Sequence, residues 1–169
     1  APSSIESNLT QTRRPMYDVT LIVSFPPAAK GSYPIIPSAM GPPFTDNQAY
    51  VLNVVDDLCS NPPPIHSPNT LILTNASTIC SFKTQIVTAQ LAGAAGVLFQ
   101  SWGEAFMISG TEDGITIPSA TVSRWSGVEL EKNVKKHSIL GTTSVLPAKH
   151  QTVSFDKWTF MSTRHWGER

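Results

Sequence analysis

The sequence predicts an α/β domain. Two short apolar runs, Leu71-Ile72-Leu73 and Val97-Leu98-Phe99, are bounded by polar turn formers, and each is short enough to be a strand buried on both faces. Between them Phe82, Ile86 and Ala89 recur at spacings of four and three, a helical stripe that Ala92 or Gly93 carries on for another turn. Two strands joined by a helix lie parallel, with a right-handed crossover. Ser81 or Thr78 can accept a hydrogen bond from the first free amides of this helix, while Gly93 and Gly96 permit the positive φ that ends it.

The other elements follow in chain order. Residues 1–15 are polar, end in Arg13-Arg14-Pro15 and read as a loose lead-in. From there Tyr17, Val19, Leu21, Val23 and Phe25 alternate with Asp18, Thr20, Ile22 and Ser24, which predicts a strand with one face buried more than the other. Pro26-Pro27 ends it. Gly31, Pro34, Pro37, Gly41 and Pro42 exclude a regular helix, so the stretch up to Pro43 reads as a stiff surface connection holding a short extended piece at residues 33–36. Residues 50–55 are a nearly continuous apolar strand, followed by Asp56-Asp57, Cys59 and a Pro62-Pro63-Pro64 turn.

After Phe99 a loop at residues 101–114 holds Trp102, Phe106 and Met107 among small and acidic residues. Residues 115–122 read as a strand that Pro118 places at an edge or a bulge. In the next helix Ser126 and Glu129 have capping-box spacing and Trp125 can staple onto Leu130. Lys132, Lys135, Lys136 and His137 complement the dipole at its far end, as a solvated basic cluster. Short strands are expected at residues 143–146 and 152–155. The expected partition is a lead-in at 1–15, one domain at 16–156 and an aromatic tail at 157–169.

Composition narrows the function classes. A chain of 169 residues suffices for one domain with a sizeable core. The formal net charge is zero and 14% of residues are charged, which argues against electrostatic capture of nucleic acid or anionic lipid. No segment reaches the roughly 18 apolar residues of a membrane span. The amino end, APSSIESNLT, lacks a signal pattern and a starting Met, as a processed mature chain or a trimmed fragment would. Cys59 and Cys80 are the only two cysteines, and Asn8-Leu9-Thr10 and Asn75-Ala76-Ser77 both satisfy the glycosylation triplet. With the low charge and 14 prolines, these features favour the extracellular space or a secretory or endosomal lumen. If bridged, the cysteines close a loop of about 20 residues, worth roughly 3 kcal/mol in the chain-entropy model; the alternative is two buried free thiols.

Catalytic chemistry leaves little trace. His66, His137, His150 and His165 have no zinc-ligand spacing, neither cysteine belongs to a C-x-x-C pair, and there is no G-x-S-x-G elbow. Asp56 and Asp57, adjacent on an extended segment, point to opposite faces and suit turn and cap roles better than a carboxylate pair. Glu112-Asp113-Gly114 is a turn with too few oxygen ligands in phase for calcium. No metal or cofactor is expected. Trp102, Phe106 and Met107 are open to two readings, as satellite core or as one wall of a groove whose other wall is the turn at residues 77–81. The ligand-binding residues would then be Ser77, Thr78, Ile79, Ser81, Trp102 and Phe106, with a sheet edge pairing with a bound peptide.

Several of these segments together resemble the protease-associated (PA) domain. The likeness rests on Cys80-Ser81-Phe82 with Lys83, on Ala89-Gln90-Leu91-Ala92-Gly93-Ala94, on Gly96-Val97-Leu98-Phe99, on Ile117-Pro118-Ser119-Ala120 and on Gly127-Val128-Glu129-Leu130. It spans roughly residues 50–136. Cys59 stands where many members have the upstream half of a disulfide. The resemblance implies a bent or barrel-like mixed sheet with two main flanking helices, and a non-catalytic module that binds a protein or peptide or shapes access to a substrate. Such modules occur inside subtilisin-like and zinc peptidases, in ectodomains of transmembrane ubiquitin ligases, in sorting receptors and as free secreted glycoproteins. One departure stands out. Members commonly carry Arg-Gly shortly before the motif cysteine, whereas here Asn75-Ala76-Ser77-Thr78-Ile79 precedes it, so a ligand role resting on that cation is absent and a glycan on Asn75 would crowd the same rim.

Overall fold

Side chains alternate along a strand, so Leu71 and Leu73 point one way and Ile72 the other; all three are fully buried. Such a strand needs an apolar layer on each side. In the computed structural model, which describes residues 17–110 and 114–147, both layers are present. Seven strands close into a barrel: β1 (Tyr17–Phe25), β2 (Gly31–Pro37), β3 (Ala49–Val54), β4 (Thr70–Asn75), β5 (Gly96–Gln100), β6 (Ser119–Val122) and β7 (Ile139–Pro147). Two helices accompany them, α1 (Phe82–Leu91) and α2 (Arg124–Val134).

Around the barrel the order is β1-β2-β6-β5-β4-β3-β7. The pairs β3/β4, β4/β5 and β5/β6 are parallel, while β1/β2, β2/β6 and β3/β7 are antiparallel. The predicted βαβ unit is therefore present with its strands adjacent and parallel, Leu71 opposite Gly96 and Leu73 opposite Leu98. Leu21, Leu52, Leu71, Leu73, Leu98, Val122 and Ile139 fill the barrel. Ile72, Val97 and Phe99 face outward and are covered by Ile86 and Ala89 of α1, with Leu58, Ile108 and Ile115 from loops. The second helix does more than flank the sheet. It touches β5, β3 and the 3-10 turn Pro27–Ala29, and its Leu130 joins the interior cluster, so it lies across the barrel end where β4, β5 and β6 finish. Burying each such aliphatic side chain is worth about 1.5–3 kcal/mol.

Several expectations change. The proline-rich stretch is a full barrel strand: β2 pairs with β1 through residues 31–35 and with β6 through residues 35–37. Pro34 fits because the β6 ladder starts only at Ile35, so at Pro34 the strand has one partner. Pro118 lies before β6 rather than within an edge strand, and its carbonyl accepts from Val97 N at 3.1 Å. Gly93 has φ of +94°, as a helix end requires, but Gly96 does not. Gly96 is there for space, since a Cβ would meet Leu71 Cδ1 at 3.0 Å. The second helix begins a turn earlier than expected: Ser123 accepts from Ser126 N at 3.2 Å, so Ser126 is a first-turn residue and the capping box is not formed. Trp125 is 63% exposed and does not staple onto Leu130, which is fully buried. The expected strand at 143–146 is the latter part of the longer β7; the one at 152–155, the lead-in, the tail, Glu112 and Asp113 lie outside the described residues.

Candidate functional site

Parallel strands end together. The carboxyl ends of β4, β5 and β6 therefore share one rim of the barrel, and the two loops singled out in the sequence leave from neighbouring strands there. The join is direct, Ala76 N donating to Gln100 O at 2.9 Å as the chain leaves β4.

Residues 77–81 form a tightly held turn. Cys80 is bridged to Cys59, with S–S 2.04 Å and Cα–Cα 5.8 Å, which resolves the choice between bridge and free thiols. The Gln85 side chain, buried in the first turns of α1, donates through Nε2 to the carbonyls of Ser77 and Cys80, both at 3.2 Å. Ser77 Oγ accepts from Ile79 N at 3.1 Å, and Ser81 Oγ accepts from Thr84 N at 3.1 Å as the helix cap. These anchors leave Thr78 and Ile79 at the tip, with Ile79 85% exposed. An apolar side chain so exposed gains nothing for the fold.

The second loop is held from β6. Thr121 Oγ1 accepts from Phe106 N at 2.8 Å and donates to Phe106 O at 2.6 Å. Ser101 N donates to Val122 O, and Arg124 N to Gly103 O, each within 2.9 Å. The result is an aromatic ladder running outward. Phe99, fully buried, meets Phe82 edge-on at 5.0 Å; Phe82 meets Phe106 at 6.1 Å; and Phe106 stacks on Trp102 at 5.9 Å with 6° between the rings. The two readings of this loop thus divide by residue. Phe106 packs partly against the outer core cluster, while Trp102 is 57% exposed and Met107 is also exposed.

The structure joins Trp102 to Phe106 and ties Ser77 and Ser81 to one anchor, Gln85, whose Nε2 lies 3.5 Å from the Ser81 carbonyl. The hydroxyls of Ser77 and Ser81 are occupied with the turn and the cap. Asp57 plays the expected turn role: its Oδ1 accepts from Cys59 N at 2.7 Å, and that bond, followed by Ser60, holds its carboxyl below the usual range. Asn75 is exposed, and Asn8 lies outside the described residues. The basic cluster on α2 is exposed, with Lys132 paired to Glu129 at 3.6 Å and Lys135 to Glu131 at 3.3 Å. Among the described residues no three His, Cys, Asp or Glu side chains are grouped to hold a metal. Gln85 and Thr121, the polar residues that shape both loops, escaped the sequence reading, because a Gln on a helix and a Thr in a strand carry no signal of their own.

No family model and no curated protein matches this chain. Solved structures do. The barrel is similar in fold to part of known peptidases. An aminopeptidase from Aneurinibacillus sp. strain AM-1 superposes with TM-score 0.57 at 17% identity, over 78% of this chain and 32% of that one. A peptidase M28 precursor from Shewanella amazonensis SB2B gives 0.55 at 16%, over 78% and 35%. BSAP, a zinc aminopeptidase from Bacillus subtilis, gives 0.55 at 12%, over 76% and 30%. The chain therefore spans about a third of the length of each. At these identities the likeness is one of fold, and a seven-stranded mixed barrel with two helices fits the PA-type resemblance of residues 50–136.

Proposed function

We propose that this chain is a non-catalytic, PA-type module, secreted or lumenal, that binds an extended protein or peptide segment at the rim formed by residues 77–81 and 101–107. The observation that carries the reading is the aromatic ladder. Its inner rungs are anchored in the core and its last rung, Trp102, is exposed beside a loop that displays Ile79. A rigid, half-exposed aromatic ring loses little conformational entropy on binding and buries a large area, which is why such residues anchor interfaces. The disulfide and the exposed sequon support an oxidising compartment, and among the described residues no helix is long and apolar enough to cross a membrane.

The test is selection of peptides from a random displayed library on the full chain, followed by affinity measurement of the selected peptides. Trp102→Ala and Ile79→Ser should each weaken binding at least tenfold, whereas Trp125→Ala, at another exposed Trp, should not. Trp102→Ala that leaves both fold and affinity intact removes the rim from consideration.

A second reading has its own support. Zinc and M28 aminopeptidases share this fold over about a third of their length, so the chain also fits an insert of a longer peptidase, in which the rim would border the substrate's path. The full-length reading frame decides: a catalytic motif beside these residues supports the insert, a stop codon soon after Arg169 supports the free module, and a hydrophobic span supports the ectodomain of a ligase or sorting receptor.

A further inference from the structure

We propose that the outward face of α2 binds a sulfated polysaccharide, with Arg124, Lys132, Lys135 and Lys136 holding its anionic groups and Trp125 covering the face of a sugar ring. The chain carries no net charge, but its charges are not spread evenly. Among the described residues Lys30 and Lys83 are the only other lysines or arginines, so the cations gather on this one helix. The helical repeat gathers them further. At about 100° per residue, Arg124, Trp125, Val128, Lys132, Lys135 and Lys136 fall within about a third of the helix circumference, and all six are exposed. Val128, Lys132, Lys135 and Lys136 line one open depression with Glu131. The opposite side of the helix, with Gly127, Leu130 and Asn133, is buried, so the strip faces away from the barrel.

The two acids of the helix do not cancel this strip. Glu129 and Glu131 lie at its two margins, with side chains 44% and 28% exposed against 63% and 68% for Lys132 and Lys135, with which they pair. Exposed pairs of this kind are weak and exchange readily for a ligand's anion. Arg124 and Lys136 enter no ion pair among the described residues. The shape of the strip selects the ligand. A single convex helix offers no concave cradle for one small anion, whereas a linear polymer with repeating anions can follow a line of about 18 Å from Arg124 to Lys136. Trp125 and Val128 stand between Arg124 and Lys132, where a sugar ring brings the apolar face that separates its charged groups. The Cys59–Cys80 bridge fits a compartment in which neither nucleic acid nor an anionic lipid leaflet is the prevailing polyanion. That choice of polymer rests on the secreted or lumenal location proposed above; the cationic strip does not.

The experiment titrates the full chain, with its disulfide intact, against a heparin decasaccharide at several salt concentrations. The wild-type chain should bind at low salt and release as salt rises. Lys135→Gln combined with Lys136→Gln should weaken binding about tenfold and reduce the slope of log affinity against log salt by roughly one per lysine. Trp125→Ala should weaken binding by about threefold with the slope unchanged, and Lys30→Gln should leave both as they are. Should the double variant fold poorly, Lys136→Gln alone gives the same comparison with about half the change in slope. No binding at low salt overturns the proposal, as does an equal loss in Lys30→Gln, which would mean a diffuse attraction without a site. Duplex DNA and vesicles containing an anionic lipid serve as competing probes, and tighter binding of either overturns the choice of polymer. No peptide enters these measurements, so failure of peptide binding at Trp102 is registered separately.

Discussion

At Gly127 the second helix comes so close to β5 that a Cβ would lie 2.4 Å from Gln100 Cγ and 2.6 Å from Cδ. Alanine there would gain about 1 kcal/mol of helix propensity, but overpacking against a buried side chain costs about 1–3 kcal/mol. Gly127→Ala should therefore destabilise the fold in urea titration, and Gln100→Ala in the same background should recover more than the two single effects predict. Gln85 invites a different test. Gln85→Leu keeps the volume but removes the donor to the Ser77 and Cys80 carbonyls, which lie in half-exposed residues that water can reach. The expected cost is about 1 kcal/mol, read as faster hydrogen exchange confined to residues 77–81. Neither contact was legible in the sequence. Gly127 stood only inside a family-like tetrapeptide, and nothing in a lone Gln on a helix announces that its amide will close a loop. What was legible were residues whose chemistry is local: Ser81 as a cap, Gly93 as a helix end, Asp57 as a turn former.

Elements were read well where their pattern was unambiguous. The continuous runs of β4 and β5 gave buried strands because their two apolar faces serve two layers. The β2 strand was hidden because its prolines argue against a ladder, and only the offset between its two neighbours makes room for Pro34. The start of α2 is misplaced in the sequence because Ser126 with Glu129 has capping-box spacing and Trp125 offers a hydrophobic staple onto Leu130, whereas in the fold Ser123 is the cap and Trp125 is exposed. The structure makes the difference measurable. Ser123→Ala should cost about 1 kcal/mol through loss of the cap, while Ser126→Ala should stay within about 0.5 kcal/mol. The Cys59 turn adds a pH signature. Asp57 is held below the usual carboxylate range by the backbone amide of Cys59 in the folded chain, so its contribution is present above the unfolded carboxyl value. That contribution disappears as pH falls through the lower folded value. Asp57→Asn should therefore flatten the acid limb of the stability profile below about pH 4 and leave neutral pH behaviour otherwise unchanged in shape.

Across the whole molecule the decisive feature is that one wall serves both cores. β4 and β5 present Leu71, Leu73 and Leu98 to the barrel interior and Ile72, Val97 and Phe99 to the layer beneath α1, and the aromatic ladder of the rim starts from that outer layer at Phe99. A cavity on either side of the wall loosens the same backbone ladders, so the two layers should not melt separately. Leu73→Ala on the inner face and Ile72→Ala on the outer face should each cost about 2–5 kcal/mol. In both variants far-ultraviolet dichroism and the near-ultraviolet signal of the aromatic residues should lose their native values in one coincident transition, with an unchanged slope against denaturant. An early near-ultraviolet transition in Ile72→Ala alone would mean that the outer layer and its rim open independently of the barrel. In that case Trp102 would not be held on a rigid platform, and the anchoring role proposed for it would lose its physical basis.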